Sequence, residues 1–330
     1  MPICLGIEST AHTLGIGIID SEGTIIKQVQ KVYIPEIGGG IHPREAAEHH
    51  FKYAPVLIEE IKGIKDFNLN QIDYIAFSQG PGLGPCLRIG AVLARTLSQA
   101  LNIPLIGVNH CLGHIEIGKL ACSAEDPICL YVSGGNTMVV GFEGGRYRIF
   151  GETLDIAIGN MLDVFAREAG LRHPGGPKIE KLAKKGKKLV DLPYIVKGMD
   201  LSFSGLLTSA INKLKNEEKL EDICYSLQEI AFGMLVEITE RAIAHTEKKE
   251  VLLTGGVAAN SRLQEMLKIM AEEHNASFHV VPRELASDNG VMIAWTGILQ
   301  AKYNMFLGID ESKVNPKWRL NEIEIPWINK

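Results

Sequence analysis

The chain has 330 residues, 46% of them apolar and 22% charged, and a net charge of −5. That length and balance exclude a disordered tail and a small disulfide scaffold, and they suit two lobes of ordinary domain size. No apolar run approaches the ~18 residues that a membrane span needs, and an acidic chain that handles nucleic acid must do so through a local basic patch or with partner subunits.

Residues 3–7 are a short apolar run without a basic flank. They read as a first strand rather than a signal peptide, so the expected location is the cytoplasm, with no membrane partner. Residues 14–20 and 24–30 continue a strand meander, with Ser21-Glu22-Gly23 as one turn. His42-Pro43-Arg44-Glu45 opens a helix, Pro43 being suited to its first turn. Ala47, Phe51, Ala54, Ile58 and Ile61 recur there at helical spacing. Residues 72–78 read as a strand, the Gly80–Pro85 string as a stiff loop, and the chain to about Leu101 as a helix. A strand at 103–108 and a helix from about Asn109 follow.

A second meander starts at residue 128, where Ile128-Cys129-Leu130 repeats Ile3-Cys4-Leu5. In both places the strand runs into a small polar turn, Glu8-Ser9-Thr10 or Ser133-Gly134-Gly135-Asn136-Thr137, and two further strands follow. The shared order makes an internal duplication credible. The expected fold is α/β: a duplicated, two-lobed actin/sugar-kinase/Hsp70-like ATPase fold with a central cleft. Its lobes are residues 1–125 and 126–330, the second with an all-helical insertion at about 156–247; the last helix either belongs there or packs back on the first lobe. The six cysteines form no C-x-x-C pair, which argues against a zinc knuckle or redox motif.

Five places could carry chemistry. His110 and His114 stand four apart on an expected helix, so their imidazoles share a face and can chelate a metal or be ordinary core histidines. Zinc proteases place a glutamate beside the first histidine, whereas Cys111 stands there in this chain. The two glycines of the Ser133–Thr137 string open backbone N–H groups to an anion, although a plain hairpin turn suits them equally. Gly255-Gly256-Val257-Ala258-Ala259-Asn260 follows a strand; Asn260 is either a ligand contact or the cap of the next helix. Asp288, before the final helix, is a cap or the carboxylate that completes a metal site. Lysines 178, 181, 184, 185, 187 and 188 cluster against Glu180, either as a solvated face or as a contact for RNA phosphates.

Taken together, these strings and residues 39–45, 159–163, 173–177 and 202–206 resemble one family over nearly the whole chain. It is the catalytic subunit of the archaeal and eukaryotic KEOPS complex, similar to the bacterial and organellar tRNA threonylcarbamoyladenosine transferases and formerly called O-sialoglycoprotein endopeptidase-like. The resemblance implies one metal, iron, held by residues matching His110, His114, Tyr131 and Asp288, a donor set that would also suit zinc. It also implies an adenine-nucleotide ligand along Tyr131, Val132, Ser133, Gly134 and Gly135, contacted by Asp163, Gly176, Glu180 and Asn260. The implied reaction passes a threonylcarbamoyl group from its adenylate to an adenosine of tRNA; no residue stands out as general base, and Glu8 is a candidate only through its place in the first polar turn. A kinase-like ATPase, a dimerising subunit and a kinase- and tRNA-binding subunit are the implied partners, with the helices near 43–61 and 85–101 as docking candidates. One departure is Ser9, where archaeal members more often carry glycine. A metalloprotease, a lone ATP-hydrolysing kinase or chaperone, and a non-enzymatic scaffold are the competing readings.

Overall fold

The computed structural model describes residues 1–35, 40–65 and 67–328. Gly39 of the 39–45 string lies outside them. Two compact units divide the chain: Met1–Leu120 with Gly144–Arg146 and Ser287–Lys330, and Ala121–Glu143 with Tyr147–Ala286.

The first unit is built on a five-stranded sheet in the order β3-β2-β1-β4-β5. Strands β1 (Ile3–Glu8), β2 (Thr13–Asp20) and β3 (Ile25–Val32) form an antiparallel meander. Strands β4 (Tyr74–Gly80) and β5 (Leu105–Asn109) add in parallel to β1. Helices α1 (Pro43–Lys62), α2 (Gly84–Leu101) and α3 (His110–Cys122) complete the part before residue 123. Leu5, Ile7, Leu14, Ile16, Ile75 and Phe77 fill the core from the sheet, against Leu57 and Ile61 of α1 and Ala91 and Ala94 of α2.

The apolar stripe of α1 departs from its expected course at two positions, His50 being buried in place of Phe51 and Leu57 in place of Ile58. Ala47, His50, Ala54, Leu57 and Ile61 are buried, whereas Phe51 is 73% exposed. A histidine takes the place expected of an aromatic ring. Burial pushes the His50 imidazole down to about 4, so it sits there uncharged, its Nε2 3.1 Å from the Ala11 carbonyl.

The second unit repeats the plan. Its sheet runs β8-β7-β6-β11-β12, with β6 (Ile128–Val132), β7 (Thr137–Glu143) and β8 (Arg146–Glu152) in the places of β1, β2 and β3. Strands β11 (Glu250–Thr254) and β12 (Ser277–Val280) are parallel to β6, as β4 and β5 are to β1. Cys4 and Cys129, the middle residues of the repeated triplets, thus occupy corresponding central strands.

Between the two halves of this second sheet come α4 (Ile158–Glu168), α5 (Gly176–Ala183), α6 (Ser204–Lys215) and the 27-residue α7 (Leu220–Thr246). The stretch is not wholly helical: β9 (Val196–Lys197) and β10 (Asp200–Leu201) form a small antiparallel hairpin. Asp155 explains that break. Its carboxylate accepts the backbone N–H groups of Phe203 and Ser204, each at 2.9 Å, and the Ser202 hydroxyl, so it fastens the chain where α6 begins. The 202–206 string is therefore held as a structural junction. Helix α8 (Ser261–Glu273) and the one-turn α9 (Arg283–Ala286) follow.

Helix α10 (Gly290–Ala301) returns to the first unit and packs on β1, β2 and β4. Most of its residues are buried, as befits a helix apolar on nearly every side. The approach needs glycine: a Cβ on Gly6 would lie 2.2 Å from the Ala294 nitrogen, and one on Gly290 2.1 Å from the Gly17 nitrogen.

Candidate metal centre and ligand-binding turns

Helix α3 begins at the end of β5, and Asn109 sets its start. The Asn109 Oδ1 accepts the N–H groups of Cys111 and Leu112 at 3.0 and 3.2 Å, an N-cap that sequence reading missed. The Asn109 amide in turn donates to the Trp318 carbonyl at 3.2 Å. The first residue of the capped helix is His110, and His114 stands one turn on, with ring centroids 4.8 Å apart.

Both imidazoles meet Asp288, at the far end of the sequence but in the same unit. Asp288 Oδ1 lies 3.2 Å from His114 Nε2 and 3.5 Å from His110 Nε2. One ligand atom from each of the three side chains lies within 4.8 Å of the others. The neighbouring Asn289, not Asp288, caps α10, accepting the Met292 N–H at 2.9 Å. Asp288 is thereby spared the capping role and turned to the histidines.

The other side of His110 is also engaged. Its Nδ1 is 3.0 Å from Glu8 Oε2 and 3.3 Å from the Thr10 hydroxyl. Glu8 is fully buried, and its Oε1 accepts the Thr10 N–H at 2.6 Å. Each His110 nitrogen thus faces a carboxylate.

The electrostatics follow. Burial alone would lower the His110 pKa, but Glu8 and then Asp288 outweigh it and raise the group to about 9. For His114 burial prevails and the pKa falls. Burial pushes the Asp288 carboxyl up, yet the two histidines more than offset this and hold it well below the ordinary carboxylate range. Burial pushes the Cys111 thiol up to about 12, so it is not a thiolate at neutral pH. Two buried imidazoles and a half-buried carboxylate, close together and braced behind, fit a divalent or trivalent metal of the first transition row.

Tyr131, the fourth expected ligand, lies on β6 in the second unit and is fully buried. Gly255 lies against it: a Cβ there would sit 3.1 Å from the ring and 2.3 Å from the Val132 carbonyl, and its φ of 95° also calls for glycine. Ser133 closes the following turn, its N–H on the Asn136 carbonyl at 2.8 Å and its hydroxyl accepting the Asn136 N–H at 3.0 Å. A Cβ on Gly134 or Gly135 would meet nothing within 4 Å, so the turn is open on that side, while the Gly135 N–H donates to the Ser133 hydroxyl at 3.3 Å.

The remaining expected contacts belong to the same unit. Asp163 accepts the Gly175 N–H at 2.7 Å and lies 3.6 Å from His173 Nδ1. Gly176 begins α5, and a Cβ there would meet nothing nearer than Leu162 Cδ1 at 4.0 Å. Glu180 accepts the Ser261 N–H at 3.1 Å and pairs with Lys184 at 3.2 Å. Asn260 caps α8 through the N–H groups of Arg262 and Leu263, and its amide donates to Gln228 Oε1 at 2.9 Å. Of the two roles open to Asn260 in the sequence, the cap is present.

Comparisons with known proteins converge. Residues 24–295 match the family described as tRNA N6-adenosine threonylcarbamoyltransferase. A Methanocaldococcus jannaschii protein named "Probable bifunctional tRNA threonylcarbamoyladenosine biosynthesis protein" is 58% identical over 99% of this chain, which spans 61% of that protein's length. The tRNA N6-adenosine threonylcarbamoyltransferase of Thermococcus sibiricus is 56% identical over 98% of the chain and 100% of its own length. Among solved structures, T. kodakarensis HypF superimposes with a TM-score of 0.65 at 18% identity, over 92% of this chain and 48% of HypF. The Acidaminococcus fermentans (R)-2-hydroxyglutaryl-CoA dehydratase component A gives 0.57 at 15%, over 92% and 100%. At such identities these two speak for the two-lobed ATPase-like fold alone. The duplicated sheets and the match over most of the chain agree: this chain belongs to the tRNA N6-adenosine threonylcarbamoyltransferase family.

Proposed function

We propose that the chain transfers the threonylcarbamoyl group of threonylcarbamoyl-adenylate to the exocyclic amine of the adenosine 3′ of the anticodon, in tRNAs that read codons beginning with A. The observation that carries this reading is the His110–His114–Asp288 cluster braced by Glu8, in a chain of a tRNA-modifying family. In the transfer, a bond forms between the amine nitrogen and the carbamoyl carbon. The bond from that carbon to the adenylate oxygen breaks, AMP leaves with the electron pair, and the amine gives up a proton. The amine is a poor nucleophile, so much of the rate must come from positioning it, with the base flipped out of its loop.

The chain's residues divide this work. His110, His114 and Asp288, with Tyr131 as a fourth ligand, would hold the metal, for which iron or zinc suits the mixed nitrogen and oxygen donors. A metal there supplies Lewis acidity to the reacting carbamoyl group. Glu8 has its oxygens on Thr10 and His110, which supports a part in orienting His110; its candidacy as base rests only on its place in the first polar turn. The turn at Gly134 and Gly135, with no neighbour where side chains would stand, is the proposed seat of the adenylate phosphate, with Asp163, Gly176, Glu180 and Asn260 as further contacts. The chain works in the cytoplasm with the KEOPS subunits, α1 and α2 offering docking faces. No helix among the described residues is long and apolar enough to cross a membrane.

A protease reading lacks its base, since Cys111 stands where the glutamate is required. A lone kinase or chaperone has no use for a histidine pair with a carboxylate. The deciding assay combines the chain, its partners, unmodified tRNA and threonylcarbamoyl-adenylate labelled in the threonyl moiety. Label on the RNA is the expected result; label released only as free threonine overturns the reading.

A further inference from the structure

The chain is acidic overall, yet residues 167–188 hold eight lysines and arginines against Glu168 and Glu180, a local charge of +6 that leaves −11 on the rest. Seven of the eight cations are exposed and Lys178 is half-buried. Among the described residues only Lys184 is ion-paired, to Glu180 at 3.2 Å. The other seven make no ion pair among those residues, although the Asp222 carboxylate lies near enough to Lys188 to feel its charge.

The backbone beneath them is firmly seated. Lys187 and Lys188 donate their N–H groups to Asp222 Oδ1 at 2.7 and 3.1 Å, and Val190 donates to the Ser226 hydroxyl at 2.7 Å. Gly186 lies flush on α7: a Cβ there would come within 2.5 Å of the Glu221 carbonyl and of Tyr225 Cβ. A merely solvated lysine run needs no such anchoring. A seated backbone holds several ammonium groups in a fixed row, so binding them to a polyanion costs only side-chain freedom. The row continues from α5, which carries Gly176 and Glu180.

We propose that residues 178–188 are a contact surface for the phosphates of the tRNA sugar–phosphate backbone. This rests on the transfer reading above and says where the acceptor is held. Lysines act there as point charges, so the surface sets position and affinity rather than sequence choice. RNA is favoured over an acidic protein because the family's acceptor is a polyanion and the row is uninterrupted by acids after Glu180 until residue 191.

The test uses the full chain and unmodified tRNA, with binding followed by fluorescence anisotropy from low to high salt. The variant changes Lys181, Lys185, Lys187 and Lys188 to Gln, leaving Lys184 with Glu180. Its tRNA Kd should rise on the order of tenfold or more, and the slope of log Kd against log salt should fall by about 0.7–0.9 for each phosphate that is no longer neutralised. Adenylate affinity should stay unchanged, and the same four positions changed to Arg should restore tRNA binding. Unchanged Kd and slope in a chain that still labels tRNA overturns this proposal and leaves the transfer reading standing. Loss of adenylate together with tRNA, or failure of the Arg variant to recover, also overturns it. A wild-type chain that neither binds nor labels tRNA removes the transfer reading itself.

Discussion

Glu8 Oε2 lies 3.0 Å from Nδ1 of His110, while the Nε2 of the same ring is turned to Asp288. A carboxylate behind a ligating imidazole fixes its tautomer and its angle and raises its basicity. Changing Glu8 to Gln keeps the shape and removes the charge. The expected result is a metal affinity about 10- to 100-fold weaker, with the fold retained. Competition with a chelator of known affinity measures it; an unaltered metal Kd would show that Glu8 does not act through His110.

Asp288 is separable from the helix it precedes, because Asn289 makes the cap. Asp288→Asn should therefore leave the helix of α10 in place while weakening metal binding more than Glu8→Gln does. His110→Ala should remove the metal and abolish transfer. Metal analysis of the purified variants beside their circular dichroism decides the matter. Full metal occupancy in His110→Ala would mean that the ligands lie elsewhere.

The sheets and the doubled plan were legible in the sequence because apolar strand runs recur in one order, from Ile3-Cys4-Leu5 and again from Ile128-Cys129-Leu130. The histidine pair was legible from its spacing alone. What brings Asp288 to it was not, since that contact spans 174 residues and depends on glycines letting α10 onto the sheet. The stripe of α1 was misjudged at Phe51 because a neutral, buried histidine carries no apolar signal in sequence. Asn109 and Asp155 were missed for a related reason: a side chain that serves backbone groups looks like any other polar residue until the backbone is placed.

Asp155 supplies a pH-dependent tie. Partial burial pushes its carboxyl up, but bonds from Ser202, Phe203, Ser204 and Ile156 outweigh this and hold it well below the ordinary 3.8. A depressed carboxyl contributes its stabilisation in full above the unfolded value and loses it as pH falls through the folded one. Asp155→Asn should cost about 1 kcal/mol near neutral pH, a modest figure because the group is largely exposed. The gap between variant and wild type should narrow below about pH 4. Urea unfolding at pH 7 and pH 3 tests this; an equal gap at both would show that ionisation of Asp155 plays no part.

Ser9 and Gly90 are fitted to each other. Ser9 is fully buried, and its hydroxyl has no hydrogen-bond partner among the described residues. A Cβ on Gly90 of α2 would lie 2.1 Å from that oxygen and 2.9 Å from Ser9 Cβ, with Ile7 Cγ2 next at 3.6 Å. An unpaired buried hydroxyl costs about 1–3 kcal/mol, so Ser9→Ala should stabilise the chain by about 1 kcal/mol. Gly90→Ala should destabilise it by about 1–3 kcal/mol through overpacking, despite the better helix propensity of alanine. Combining Gly90→Ala with Ser9→Gly removes both clashing atoms and leaves only the ordinary contact to Ile7. The double variant should therefore be more stable than the sum of Gly90→Ala and Ser9→Gly measured singly, by at least about 1 kcal/mol. Denaturant midpoints of the four proteins complete the cycle. Strict additivity would mean that α2 yields to the new methyl group, and that the serine does not dictate the glycine facing it.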